Sequence, residues 1–194
     1  MGKKIGLTLE KIIDVAATIA DQDGLEAASL RAVADELGIK TPSLYNHVAG
    51  LTGLRRELAL RAARQLADVF AAESGSDDPA LLIRRTARRY REFSKQHAGL
   101  YQSLLPAPKP GEDDELYEEL AAPVTVLADA LVAAGVDERQ TIHLIRALRS
   151  MVHGFVDLEM KDGFGMPEDI EESFDRALDV IVAGVLDSRS GAER

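Results

Sequence analysis

Cysteine is absent from all 194 residues. The chain therefore has no thiol nucleophile, no Cys-ligated zinc and no disulfide framework, and an intracellular setting is the natural expectation. Long apolar runs are also missing. Charged residues interrupt every hydrophobic stretch, and the opening "MGKKIGLTLEKI" is too short in apolar run for a signal peptide. A soluble, cytoplasmic protein with no membrane partner is expected. Period-2 alternation is nowhere convincing, so strands are not expected. Motifs of catalysis are lacking too: no Glu-x-x-His di-iron spacing, Gly-rich phosphate loop or nucleophile elbow occurs. His153 and Asp157 stand four apart on one helix face, half of a metal site without a second half. A hydrogen-bonded structural histidine is the better reading. No enzyme, catalytic residue, cofactor or metal is expected.

A basic excess is missing as well, since the formal net charge is −10. Its distribution matters more than its sum. Residues 1–56 hold seven bases and seven acids, so the whole acidic excess lies beyond them. A neutral first quarter is compatible with DNA binding, but predicts weak non-specific attraction, because counterion release scales with the phosphates neutralised.

What is present is helical periodicity, with 46% hydrophobic and 29% charged residues, ordinary values for a globular chain able to bury a core. The first helix starts from Thr8 as N-cap and stops at "DQDG", with Ile12, Val15, Ala16 and Ile19 on one face. Ser29 caps a short second helix ending at Gly38. A third opens with Thr41 as cap and Pro42 at the first position. A long fourth helix is expected over 52–73, then a break at "SGSDDP", and a helix carrying "RRTARRYREFSK" from Asp78. After a loop over 106–114, helices are expected at 113–134 and 137–160. A last one runs from Pro167 to about Leu186, before a frayed tail over 188–194. The fold class is all-α, with no internal repeat. The arginine run from Arg84 to Arg91 is expected to pair with the acidic run from Glu112 to Glu119, or to be solvated, rather than to bind nucleic acid.

The stretch "SLRAVADELGIKTPSLYNHV" (29–48) carries the most information. Two short helices joined by a Gly-containing turn form a helix-turn-helix unit. Ala34 is small where they cross, Gly38 permits a left-handed turn, and Ile39 and Leu44 point back onto Leu30, Val33 and Leu37. Lys40, Thr41, Ser43, Tyr45, Asn46 and His47 stay outside. That set is short, polar and rich in donors and acceptors, as a helix entering a major groove requires. The competing interpretation is a helix hairpin that serves only as scaffold for protein contacts, for which buried apolar anchors would suit better.

"ASLRAVADELGIKTPSLYNHVAGLTGLRREL" (28–58) resembles the DNA-binding domain of the TetR family of bacterial transcriptional repressors, with the Thr8-led first helix and the "LY-x-H-V" ending. "MVHGFVDLEMKDGFGMPEDIEESF" (151–174) resembles the regulatory domain of the branch with an HG-containing, WHG-type motif. The resemblance implies a homodimer on a pseudo-palindromic double-stranded DNA operator. Residues 1–52 would form the reading head and 53–187 the dimerisation and effector domain. It places Lys40, Thr41, Ser43, Tyr45, Asn46 and His47 on DNA, with Tyr45 and His47 at phosphate, and Thr41, Ser43 and Asn46 at bases. Thr8 would meet phosphate at the first helix's N-terminus. Leu51 stands where many relatives carry a phosphate-contacting lysine, which predicts a shallower salt slope.

In the regulatory half, apolar stripes run along the last two helices. Leu148, Val152, Gly154, Phe174, Leu178, Ile181, Val182 and Val185 are expected at the dimer interface. Aromatics are only 5% of the chain, so the gathering of Tyr90, Phe93, His97, Tyr101 and Tyr117, with Met151 and Phe155, marks candidates for a mostly apolar effector site. The function expected is a repressor released from its operator by a small molecule.

Overall fold

The computed structural model describes residues 6–106 and 111–191, with side chains described as far as Gly184. Among them every regular element is helical. The order is α1 (Leu9–Asp23), a 3₁₀ turn at Leu25–Ala27, α2 (Leu30–Glu36), a 3₁₀ segment at Thr41–Asn46, then α3 (Gly50–Ala71) and α4 (Pro79–Gln96). There follow α5 (Ala98–Ser103), α6 (Asp114–Ala133), α7 (Glu138–Met160) and α8 (Ile170–Gly191).

Side-chain caps set many of the starts. Thr8 accepts the Lys11 N–H at 3.3 Å, Ser29 the Ala32 N–H at 3.1 Å, and Asp137 the Arg139 N–H at 2.7 Å. The last helix begins at Ile170 rather than Pro167, because Asp169 supplies the cap, accepting the Glu172 N–H at 2.8 Å. It also continues past the expected end to Gly191; residues 192–194 of the anticipated tail lie outside the described residues. The short α5 was not anticipated. Its six residues are too few for a periodic signal.

The chain forms two compact units. One takes residues 1–64 and 96–120, the other 65–95 and 121–194. The first therefore contains the anticipated 1–52 stretch and extends beyond it. In it, α1 lies against both α2 and α5. Ile12, Ile13, Ala16, Ala17 and Ala20 are buried, while Val15 and Ile19 are only half-buried. The buried stripe is centred on small residues because two neighbours approach α1 closely.

In the second unit α7 packs on α8. Its core includes Leu82, Ile83, Leu131, Val152, Val156, Phe174 and Leu178, all nearly inaccessible to solvent. Three arginines of the run meet acids of α8. Arg84 meets Asp179 at 2.6 Å, Arg88 meets Asp175 at 2.8 Å, and Arg91 meets Glu171 at 2.6 Å. Rising numbers on α4 against falling numbers on α8 make an antiparallel zipper. The acidic run pairs with α3 inside the first unit: Arg56 with Asp113 and Glu115, and Arg64 with Glu119.

Candidate nucleic-acid interface

Residues 29–48 fold as a framed unit. After α2, Gly38 adopts φ +65°, the Gly38 N–H bonds the Asp35 carbonyl at 3.1 Å, and the Ile39 N–H bonds the Ala34 carbonyl at 2.9 Å. These two bonds are the Schellman pattern, which needs a left-handed residue at that place. Val33, Ala34 and Leu44 are fully buried beneath the turn, and Ile39 is half-buried. The segment after it is a 3₁₀ helix rather than the expected α-helix. Thr41 is its first residue, not its cap, and Lys40 occupies the cap position without a side-chain bond. Pro42 near its start and Ser43 N–H on the Lys40 carbonyl at 2.9 Å fit the tighter winding. Three residues per turn bring Ser43 and Asn46 into line, and Pro42 and Tyr45.

Its outer surface carries the polar set. Lys40, Asn46 and His47 are exposed, Tyr45 is 61% exposed, and Thr41 and Ser43 are half-buried. Thr8 is exposed at the start of α1, with its hydroxyl engaged as cap. Lys40 has no carboxylate partner among the described residues, whereas Arg55 is held by Glu26 at 2.6 Å and Arg56 by Asp113 and Glu115. Leu51, at the start of α3, is exposed. The Asp113 carboxyl is pulled down to about 2, chiefly by hydrogen bonds from Arg56 and then by the Leu116 N–H.

The seven predicted effector residues divide between the units. His97, Tyr101 and Tyr117 belong to the first. His97 Nδ1 lies 2.9 Å from Asp21, Tyr101 is buried, and Tyr117 is 45% exposed. Tyr90, Phe93, Met151 and Phe155 belong to the second. There Tyr90 packs edge-on against Phe70 at 5.7 Å, and Phe155 contacts both Phe164 at 5.4 Å and Phe174 at 5.2 Å. An open pocket of about 320 Å³ in this unit is lined by Lys95, Glu159, Met160, Asp162, Phe164 and Ile170, and by none of the seven. Beside it, Arg91 forks onto Glu159 at 2.8 and 2.6 Å and lies 4.6 Å over the Phe174 ring. Hydrogen bonds to Glu159 raise the Arg91 pKa above the arginine range, and the same bonds lower that of Glu159.

Two family models match the chain. Residues 12–54 match "Bacterial regulatory proteins, tetR family", and residues 83–181 match "Tetracyclin repressor-like, C-terminal domain". An uncharacterized HTH-type transcriptional regulator of Bacillus subtilis, YobS, is 35% identical over 190 residues, covering 96% of each chain. A second HTH-type transcriptional regulator, from Mycobacterium tuberculosis, is 32% identical over 85% of this chain and 74% of its own length. Among solved structures, the TetR family protein ActR of Streptomyces coelicolor in complex with (S)-DNPA superposes with a TM-score of 0.70. It is 22% identical, over 94% of this chain and 98% of that one. The chain belongs to the TetR family. It is a helix-turn-helix, DNA-binding transcriptional regulator.

In this TetR-family regulator the residues assigned to the dimer interface need correction. Leu148, Val152, Phe174, Leu178 and Val182 are buried inside a single chain, so they fill its own core. The opposite face of α8 is the one left open: Val180 is 73% exposed, Ala183 and Gly184 are exposed, and Ala177 and Ile181 are half-buried. Gly154 on α7 is half-buried, and apart from its chain neighbours and its own helix backbone nothing lies within 4 Å of where a Cβ would stand. The Val185 side chain lies outside the described residues. Also missed was the tie between Asp21 and α5, for which a lone aspartate near a helix end gives no signal.

Proposed function

We propose that the protein is a homodimeric repressor that leaves its operator on binding a small molecule. A regulator of this kind works where the chromosome is, in the cytoplasm. The observation that carries the reading is the 3₁₀ segment, whose apolar side is buried and whose outer side offers Lys40, Tyr45, Asn46 and His47. In the major groove Thr41, Ser43 and Asn46 would face base edges, while Tyr45, His47 and the N-terminus at Thr8 would meet phosphates. With Arg55 and Arg56 already held by carboxylates, few cations among the described residues of the head remain for the backbone, and a shallow salt dependence is expected.

Dimerisation is proposed on the open face of α8 around Ala177, Val180 and Gly184, beside Gly154 of α7, where small residues permit close helix approach. To read two half-sites, the two-fold pair would have to hold its reading segments about 34–36 Å apart, on successive major grooves. ActR was solved in complex with (S)-DNPA, and a mostly apolar effector in the second unit, which holds Tyr90, Met151 and Phe155, fits the same pattern.

Fluorescence anisotropy with duplex from the region flanking the protein's own gene tests the reading, against a scrambled duplex and at low and near-physiological salt. Tight binding to the native duplex alone, lost in Tyr45→Ala and Asn46→Ala, is expected. Equal binding to both duplexes, unchanged in the variants, would refute it.

A further inference from the structure

The tie between α1 and α5 is built unlike the other helix starts described above. His97 occupies the cap position of α5 but makes no side-chain cap bond to it. The cap comes from Asp21, near the end of α1. Its Oδ1 accepts the N–H of Gly99 at 3.0 Å and of Leu100 at 3.0 Å, and its Oδ2 lies 2.9 Å from His97 Nδ1. A carboxylate at a helix N-terminus meets both unpaired donors and the positive end of the helix dipole. Below it the backbones touch. A Cβ on Gly99 would stand 2.2 Å from the Ala20 carbonyl carbon and oxygen, so only glycine fits. Leu100, Tyr101, Ser103 and Leu104 are buried around this contact, and the 3₁₀ turn at Leu25–Ala27 packs on α5 as well.

The chain enters α5 directly from α4, with one residue between them. Asp21 and Gly99 therefore fasten the helix that leads into the helix-turn-helix to the residues that continue from α4. α1 also packs against α2, the first helix of the helix-turn-helix. We infer that Asp21 and Gly99 are positioning residues for operator recognition: they hold the reading segment in one pose, and so restrict which half-site spacings the protein accepts. Neither residue touches DNA in this scheme. The inference rests on the dimeric, operator-reading function proposed above.

Two half-sites read by a dimer must match its separation of reading segments, and a one-base-pair insertion both shifts and rotates one half-site. Loosening the latch lets the reading segment follow such a shift. The test uses the full chain and a family of synthetic duplexes. Their half-sites come from the sequence that the wild-type protein enriches from a random pool, and their spacings vary by one and two base pairs. Enrichment of a palindrome by the wild type checks the parent reading; the spacing profile of the variants checks the latch.

The wild type is expected to lose about tenfold or more in affinity one base pair from its preferred spacing, as for a mismatched contact. Asp21→Ala is expected to flatten that profile, while its affinity for a single half-site stays at the wild-type level. Asp21→Asn keeps an oxygen acceptor for the two N–H groups and is expected to restore much of the profile. Gly99→Ala, which forces α5 off Ala20, provides a second loosening should Asp21→Ala fail to fold. A lower melting temperature with an unchanged spacing profile would overturn the inference, leaving Asp21 as a structural cap only. So would an equal loss on a single half-site, or a wild type indifferent to spacing.

Discussion

Arg91 holds two carboxylates whose surroundings differ, and the two should differ in worth. The Arg91 and Glu159 side chains are 6% and 10% exposed, while that of Glu171 is 72% exposed. Both acids are bonded at 2.6–2.8 Å, so distance alone would rank them equally. Burial decides otherwise. An exposed ion pair contributes roughly 0–1 kcal/mol, since water and salt screen it. Removing one partner of a buried pair costs about 3–5 kcal/mol where the other charge is left uncompensated; here that is an upper bound, because Lys95 stays 3.1 Å from Glu159 and Glu171 stays on Arg91. Glu171→Gln is therefore expected to lose no more than about 1 kcal/mol. Arg91→Met should lose up to about 3–5 kcal/mol, and Glu159→Gln less than that but more than Glu171→Gln, because Glu171 still meets the Arg91 charge. For a chain of this length each kcal/mol shifts the melting temperature by roughly 2–4 °C, so the two glutamates should be separated by several degrees. Urea unfolding followed by circular dichroism at pH 7 measures the differences, with an unchanged slope as the sign that only stability moved. The double variant Arg91→Met with Glu159→Met should cost less than either loss would suggest, since the pair is removed together. Equal losses for Glu159→Gln and Glu171→Gln, or strict additivity in the double variant, would refute the burial argument.

Acid sensitivity follows from Asp113. Its folded pKa of about 2 lies below the ordinary 3.8, so its contribution is full above 3.8 and is lost as pH falls toward 2. The stability gap between wild type and Asp113→Asn should therefore shrink over that window; a gap independent of pH would count against the Arg56 contact. Val180→Glu on the open face of α8 is expected to give a monomer in analytical ultracentrifugation. The two-fold axis presents the substituted position twice. The melting temperature of the isolated chain should barely change, because Val180 is 73% exposed. A dimer that survives the substitution would place the interface elsewhere.

The reading head was legible because its signals are local. Thr8, Ser29, Gly38 and Pro42 act within four residues of their own positions, and the structure finds each at a helix end or turn. The winding of the Thr41–Asn46 segment was not legible, since six residues around a proline satisfy either helix type. Charge pairing was hidden for a different reason. Arg84, Arg88 and Arg91 meet Asp179, Asp175 and Glu159, a choice set by tertiary register, not by composition. The stripes on α7 and α8 showed which positions are apolar, but Phe174 and Leu178 lie at 1% and 0% exposure inside one chain. Periodicity cannot separate a core from a contact between copies. Gly99 was invisible because its role depends on Ala20, far off in sequence.

The first compact unit is assembled from two pieces of chain, 1–64 and 96–120. DNA-reading heads of this length invite grafting, in which a head is cut off and spliced to a foreign effector core. Here a single splice near residue 52 or 64 would carry away α1 and leave α5 behind, so Asp21 would arrive without the N–H groups it caps. A working chimera must transfer both pieces, or supply a recipient with glycine at the position facing Ala20. For the same reason, a single crossover between genes of two such proteins would split the unit, and new pairings of head and core would have to begin from parents that already agree along α1 and α5.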